Sequence, residues 1–242
     1  MSRRDYRAAW AKSGALGDMR LSYTVLCTTG LEAEAKIARR AGLPTVIGAG
    51  NHRRTVTVVE EAAAQAECLV SFGIAGALAP GLKPGDIVLS TEVVDDDRRW
   101  LSSESLRSRI TELVQEIGAI EGPVLGAQMI LATKADKRRA WQETGAIAVD
   151  LESVVVARAS AALGIPFVVL RAIADPASRE LPPAALLPLQ GNGTPMIGQV
   201  LASVLRHPRQ LPSLLGVARE ARQALQALVG PAHALHRTLA GA

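Results

Sequence analysis

Three carboxylates in this chain stand where the local pattern could put them to chemical use. Asp175 closes an apolar run in Arg171-Ala-Ile-Ala-Asp175. The carboxyl ends of parallel strands are where α/β proteins place their sites. A carboxylate partly withdrawn from water there is raised in pKa and suits a general acid. The same position also suits a turn or helix N-cap aspartate. Glu152 lies between a strand and a helix start in Ala148-Val-Asp-Leu-Glu-Ser153. It could accept two hydroxyl hydrogen bonds, as the diol of a ribose requires, or simply favour the helix N-terminus by its charge. Asp150 reads as this second, structural type. Glu34, two residues beyond Glu32, reads by itself as a solvated helix glutamate.

The elements that must position these groups follow from periodicity and punctuation. Tyr23–Thr28 is a short apolar strand. Thr29-Gly-Leu-Glu32 fits a capping box, with the Thr29 hydroxyl as cap and Glu32 reaching back; the helix runs through Ala41 and stops at Gly42. Further strands are expected at Thr55–Val59, Cys68–Ile74 and Ile87–Ser90, the last entered through the turn Gly81-Leu-Lys-Pro-Gly-Asp86. Val93–Arg99 reads as a charged loop, Leu101–Ile117 as a helix and Pro123–Leu131 as extended. Ala146–Val149 is a strand, Ser153–Leu163 a helix ended by Gly164, and Pro166–Ile173 a long apolar strand. Strands alternating with helices predict an α/β fold: a single three-layer domain with a central, mostly parallel or mixed twisted sheet flanked by helices.

The C-terminal region differs. Ile197, Val200, Leu201, Val204 and Leu205 form one helical stripe, broken at His207-Pro208. Leu214, Ala218, Ala221, Leu225 and Leu228 form a second, expected to end at Gly230-Pro231. The organisation expected is a loose basic segment over 1–20, a catalytic domain over 21–200 and an amphipathic helical extension over 201–242, packed on or beside the domain.

Composition narrows the functions. Hydrophobic residues make up 48% and aromatics only 3%, which supports a real core and argues against aromatic platforms for nucleic-acid bases. The net charge of +4 is uneven. The first twenty residues and the last forty-two are basic and the middle is mildly acidic, so no nucleic-acid partner is expected. Cys27 and Cys68 sit in apolar runs and read as reduced, buried thiols of a cytoplasmic protein. The histidines at 52, 207, 233 and 236 are scattered, and no metal site is expected.

Four segments carry a resemblance. Ser71-Phe-Gly-Ile-Ala-Gly-Ala-Leu-Ala-Pro-Gly-Leu-Lys-Pro-Gly-Asp-Ile-Val-Leu-Ser90 resembles the glycine-rich strand and turn of the purine and uridine phosphorylase family, which includes the methylthioadenosine nucleosidases. Ala148–Ser153 resembles its ribose motif, Arg171–Asp175 its acid-bearing strand, and Gly30-Leu-Glu-Ala-Glu34 its N-terminal acidic segment. Within the family the chain is most similar to the hopanoid-associated phosphorylases, through Thr144–Ser153, Gly191-Asn-Gly-Thr194 and the tail Arg206–Leu215.

The resemblance implies cleavage of the N-glycosidic bond of an adenine nucleoside, adenosylhopane in the hopanoid-associated group. Asp175 would protonate adenine N7, Glu152 with Leu151 would bind the ribose, and Glu34 would activate water. Gly73 and Gly76 would let backbone approach the nucleophile, and Met129 and Ile130 would line the base. No cofactor is implied, with phosphate open as a co-substrate. Ser71 and Ile74 stand where hexameric phosphorylases carry a phosphate-binding Arg and Ser, and this loss of donors for a dianion favours water. Arg39, Arg40, Arg53 or Arg54 could substitute, although the first two read as solvated. The expected partner is a nucleoside with an apolar 5′ group, and a homo-oligomer, a dimer, is expected. The C-terminal helices could add peripheral contact with the inner membrane surface. The alternatives are a nucleosidase of the methylthioadenosine/S-adenosylhomocysteine type, a general purine nucleoside phosphorylase, and a non-catalytic membrane-surface or partner-binding protein.

Overall fold

Alternate residues of the central strands are apolar on both faces, so the sheet needs a helical cover on each side. In the computed structural model, which describes residues 24–95, 98–114 and 118–239, it has one. The expected basic segment 1–20 lies outside the described residues. The strands are β1 Val25–Thr29, β2 Thr45–Ile47, β3 Cys68–Ala77, β4 Ile87–Val94, β5 Arg99–Leu101, β6 Ile120–Gly126, β7 Ala148–Asp150 and β8 Phe167–Asp175. The helices are α1 Glu32–Arg40, α2 His52–Ala63, α3 Glu104–Val114, α4 Lys134–Thr144, α5 Ser153–Leu163, α6 Ile197–Arg206, α7 Leu211–Ala227 and α8 Val229–Leu239.

The expected mixed α/β architecture is present. The sheet runs β2-β1-β3-β7-β6-β4-β5, while β8 pairs parallel with β3 and antiparallel with β4. Five strands, β3, β7, β6, β4 and β8, thus close a ring, and β1 and β2 extend from it as a parallel flap. Pleating sorts the core. Cys27, Val70 and Leu170 pack on one side with Ala224, Leu228 and Leu235 of the C-terminal region. Leu26, Leu69 and Val169 pack on the other with Val59 of α2 and Val154–Ala157 of α5.

Several local expectations are corrected. Thr55–Val59 is helical, not a strand: Asn51 caps α2 by accepting from the Arg54 N–H at 3.0 Å, and Thr55, Val59 and Ala63 face inward at helical spacing. Its β-branched residues suggest a strand, but packing decides otherwise. β1 runs one residue further than expected, so the capping box shifts. Thr29 caps nothing; its hydroxyl donates to the Val46 carbonyl, and Glu34, not Glu32, reaches back to the Leu31 N–H. Val93, Val94 and Arg99, expected in a charged loop, are strand residues: Val93 pairs with Trp100 and Val94 with Arg99 between β4 and β5.

Gly230-Pro231 does not end the C-terminal helices. Pro231 sits in the first turn of α8, where its missing N–H costs nothing. Helix α7 lies along β8 and α8 packs against α3. Of the expected stripe Leu228 is fully buried, Leu214, Ala221 and Leu225 are half-buried and Ala218 is exposed, while Ala224, outside the stripe, is fully buried. The expected boundary at 200/201 falls inside α6. Helix α6 is the exception in this region and contributes no buried residue. Among the described residues no helix is long and apolar enough to cross a membrane.

Candidate active site

The carboxyl ends of β1, β3, β7 and β8 open on one cavity of about 590 Å³. Glu34, Glu152, Leu151, Gly76, Met129, Ile130 and Asp175, proposed separately from the sequence, all line it. Gly73 is not among the lining residues but lies directly behind Glu34, where a Cβ would fall 2.5 Å from Oε1.

Glu34 corrects the expectation of a solvated side chain: it is 2% exposed. Its Oε2 accepts from the N–H groups of Gly30 at 2.9 Å and Leu31 at 2.8 Å. Its Oε1 accepts from the Ile74 N–H at 2.7 Å. Burial raises its pKa, opposed by Arg171 and then by these three N–H donors. The carboxylate is therefore the tie between the α1 start and β3. That tie is a structural role, and it also fixes a carboxyl group at the cavity wall.

Glu152 is 5% exposed, at the N-cap of α5. Gly30 packs so closely against it that a Cβ there would lie 2.6 Å from Oε1. Burial pushes its pKa up to about 8, against the pull of Arg171, with Asp150 and Glu34 adding like charge. Asp150 has the structural role expected of it. Its Oδ1 accepts from the Ser153 N–H and hydroxyl at 3.0 and 2.6 Å, which fixes the start of α5.

Arg171 holds this acidic group together, and the sequence reading assigned it no role. It lies mid-strand in β8, opposite Gly73, and is fully buried. Its Nη2 is 2.5 Å from Asp150 Oδ2 and 3.7 Å from Glu152 Oε2, and donates to Ser71 Oγ at 2.5 Å. Its Nη1 and Nε make no hydrogen bond among the described residues, and Nη1 flanks Gly73 beside Glu34. A signal was present: a charge inside an apolar strand is rarely buried without partners.

Asp175 is the last residue of β8, paired with Gly76 across a β-bulge. It also lines the cavity, 13% exposed, with its carboxyl against Gly76, two residues beyond the Ile74 N–H that binds Glu34. Burial raises its pKa, and Lys137 opposes the shift by charge and hydrogen bond. Lys137 also went unrecognised. It is one of several charged residues in Lys134-Ala-Asp-Lys-Arg-Arg139, and nothing in the sequence marks it as the buried one.

Met129 and Ile130 follow β6 and are 72% and 43% exposed, so they form the rim rather than an enclosed wall. Pro188 and Leu189 approach from the opposite rim. The turn Gly191-Asn-Gly-Thr194 lies over the β1–α1 loop, where the Gly193 carbonyl accepts from the Glu32 N–H at 3.2 Å. Gly193 has φ +77°, and a Cβ there would come 2.8 Å from Glu32 N. Arg39, Arg40, Arg53 and Arg54 are all exposed, and none lines the cavity. Among the described residues no group of three or more His, Cys, Asp or Glu side chains is placed to hold a metal ion.

A partly closed mixed sheet with buried carboxylates at the carboxyl ends of its strands defines a class. The chain belongs to the phosphorylase superfamily, whose family profile matches residues 25–186. It is similar to the 5′-methylthioadenosine/S-adenosylhomocysteine nucleosidases of Actinobacillus succinogenes (28% identical, over 47% of this chain and 58% of that protein) and Haemophilus influenzae (30%, over 46% and 58%). The matched region thus spans a little over half the length of these relatives. Among solved structures it resembles a Helicobacter pylori nucleosidase with 5′-methylthioadenosine in its active site, at 17% identity and TM-score 0.59, covering 86% of this chain and 97% of that one. It also resembles the futalosine hydrolase of Helicobacter pylori, at 17% identity and TM-score 0.60, with the same coverage of each chain.

Proposed function

We propose that this protein cleaves the N-glycosidic bond of an adenine nucleoside, with water as nucleophile. The observation that carries the reading is that three carboxyl groups largely withdrawn from water, Asp175, Glu34 and Glu152, line one cavity. In the reaction the bond from C1′ to N9 breaks and its electron pair leaves with adenine. Asp175 gives its proton to N7, so the base departs neutral. Positive charge develops on the ribosyl ring, beside Glu34 and Glu152. Water adds to C1′ and Glu34 takes its proton. Glu152 would accept the ribose hydroxyls with Leu151 packed beside them. Met129 and Ile130 would cover the base.

Phosphorolysis is disfavoured for a physical reason. A dianion needs several unpaired cationic or N–H donors. The Ile74 N–H is already used by Glu34; Arg171 keeps Nη1 and Nε unpaired among the described residues, but its charge is shared by Asp150 and Glu152 and it does not line the cavity.

The substrate proposed is adenosylhopane, as the similarity to the hopanoid-associated group implies. The apolar Leu186–Leu189 rim supports a substrate with a hydrocarbon 5′ group. The second reading, methylthioadenosine or S-adenosylhomocysteine, is favoured by the names of the relatives. Helix α6 adds a membrane aspect to the first. Ile197, Leu201 and Leu205 are 63%, 59% and 83% exposed on one stripe, and α6 packs on the turn Pro183–Leu186 at the cavity rim. Arg206 and Arg209 are exposed nearby in sequence, so an anionic bilayer is the proposed occupant of this face.

The test is to incubate pure protein with adenosylhopane and with methylthioadenosine, each with and without phosphate, and to identify the products. Adenine and a free ribosyl hopanoid, formed at a phosphate-independent rate, support the reading. A phosphate-dependent ribose 1-phosphate overturns the choice of nucleophile, and no adenine from either substrate overturns the activity. Flotation with anionic vesicles tests the membrane aspect: Leu201→Glu/Leu205→Glu should abolish it. A protein that never floats but sediments as a dimer would make α6 a subunit seam instead.

A further inference from the structure

Lys137 is a buried ionisable group that the reaction as written does not use. It stands in the first turns of α4 and is 1% exposed. Its ammonium has three protons and three acceptors: Asp175 Oδ2, the Pro176 carbonyl at 3.3 Å and the Arg179 carbonyl at 3.1 Å. A satisfied ammonium cannot swing away without leaving buried carbonyls unpaired. Asp175 Oδ1 receives no hydrogen bond among the described residues, which leaves it as the oxygen available to a ligand.

We propose that Lys137 is a positioning residue for Asp175, pinning Oδ2 so that Oδ1 meets the leaving base, and supplying the countercharge that makes this buried carboxyl a stronger acid. The proposal rests on the reading of Asp175 as the acid. Three charged groups face Asp175. Lys137 reaches it from α4, Arg179 from the segment after β8, and Glu220 from α7. Arg179 is held by Glu220 through paired hydrogen bonds, one of them at 3.0 Å, so those two charges largely offset each other. Among the described residues Lys137 is then the one uncompensated cation acting on Asp175. It also ties the acid to the backbone just beyond β8, so that α4 and the Pro176–Arg179 segment hold one geometry.

The general acid must carry its proton, so activity is lost as pH rises through its pKa. Removing the ammonium leaves burial unopposed and moves that pKa upward. Lys137→Met should therefore shift the alkaline limb of kcat/KM upward by roughly 1–3 pH units. The plateau should fall roughly tenfold or more, because a weaker acid transfers its proton more slowly. The ¹³Cγ resonance of Asp175, identified by its loss in Asp175→Asn, should titrate higher by the same interval. That measurement needs no substrate. Asp175→Asn/Lys137→Met should be no slower than Asp175→Asn alone. If Lys137→Met does not fold, Lys137→Gln keeps donors for the carbonyls, lacks the charge and should show the same shift. An unmoved limb and resonance in a folded variant, or effects that multiply in the double variant, would overturn the proposal. Were wild type to release no adenine while the resonance still shifted, the functional reading would fail and the Lys137–Asp175 link would stand.

Discussion

The two ends of the cavity are built on opposite electrostatic plans. At one end Asp150, Glu152 and Glu34 share a single guanidinium, so carboxylates outnumber their cation. At the other, Asp175 has its own ammonium and a neighbouring ion pair that cancels itself. An acid-rich end suits positive charge developing on a sugar ring. A balanced end suits a group that must give up a proton and then carry a negative charge. The difference also divides the tolerance to change. The first end is a network in which each member holds the others, whereas the second is a pair that can be altered one partner at a time.

The largest effect is expected at the balanced end. Asp175→Asn should fold normally and lose roughly 10²–10⁴-fold in adenine release. A near wild-type rate in the purified variant would remove Asp175 from the mechanism. At the network end, Arg171→Met leaves three buried carboxylates without their cation. Breaking a buried pair in this way typically costs about 3–5 kcal/mol, so denaturant unfolding should show a large loss or no folded state. A stability change under about 1 kcal/mol would contradict the network description.

Gly73→Ala probes the network by space alone. Its Cβ would meet Glu34 Oε1 at 2.5 Å and Arg171 Nη1 at 2.7 Å, both on locked side chains. Overpacking of this kind costs roughly 1–3 kcal/mol, and activity should fall with it. Retention of both would mean that Glu34 has room to move.

The smallest effect is a pH slope. The Glu152 pKa, raised to about 8 in the folded protein, lies above its unfolded value, so the native state binds the extra proton. Stability should then fall as pH rises between the ordinary glutamate range and about 8. One proton gives at most about 1.4 kcal/mol per pH unit. Glu152→Gln should flatten this slope in melts across that interval, and an unchanged slope would assign it elsewhere.

The sequence exposed the balanced end poorly and the network end in part. Asp175 and Glu152 could be picked out because each follows a strand or opens a helix, whereas Glu34 read by itself as solvated and gained a role only through the resemblance of Gly30–Glu34 to the family's acidic segment. Arg171 was visible as a charge in an apolar strand but was read only as part of a motif. Lys137 could not be found, since burial of one lysine among several depends on where α4 packs. The same limit explains Thr55–Val59: a β-branched run carries no mark of the Asn51 cap until the β2 turn places it. Ring closure through β8 was equally hidden, because pairing with both β3 and β4 is a property of strand curvature rather than of any single segment. The C-terminal helices divide along the same line. The stripe of α7 packs on β8 and that of α6 stays exposed, though the two read alike.

The central claim, that Asp175 acts by protonating the leaving base, is tested most directly by changing the leaving group. A 5′-substituted riboside of 4-nitrophenol departs as a stable anion and needs no proton. The account predicts that Asp175→Asn cleaves it within a few-fold of wild type while remaining severely impaired on the adenine nucleoside. Equal losses on both substrates would contradict the account and make Asp175 a structural residue of the cavity.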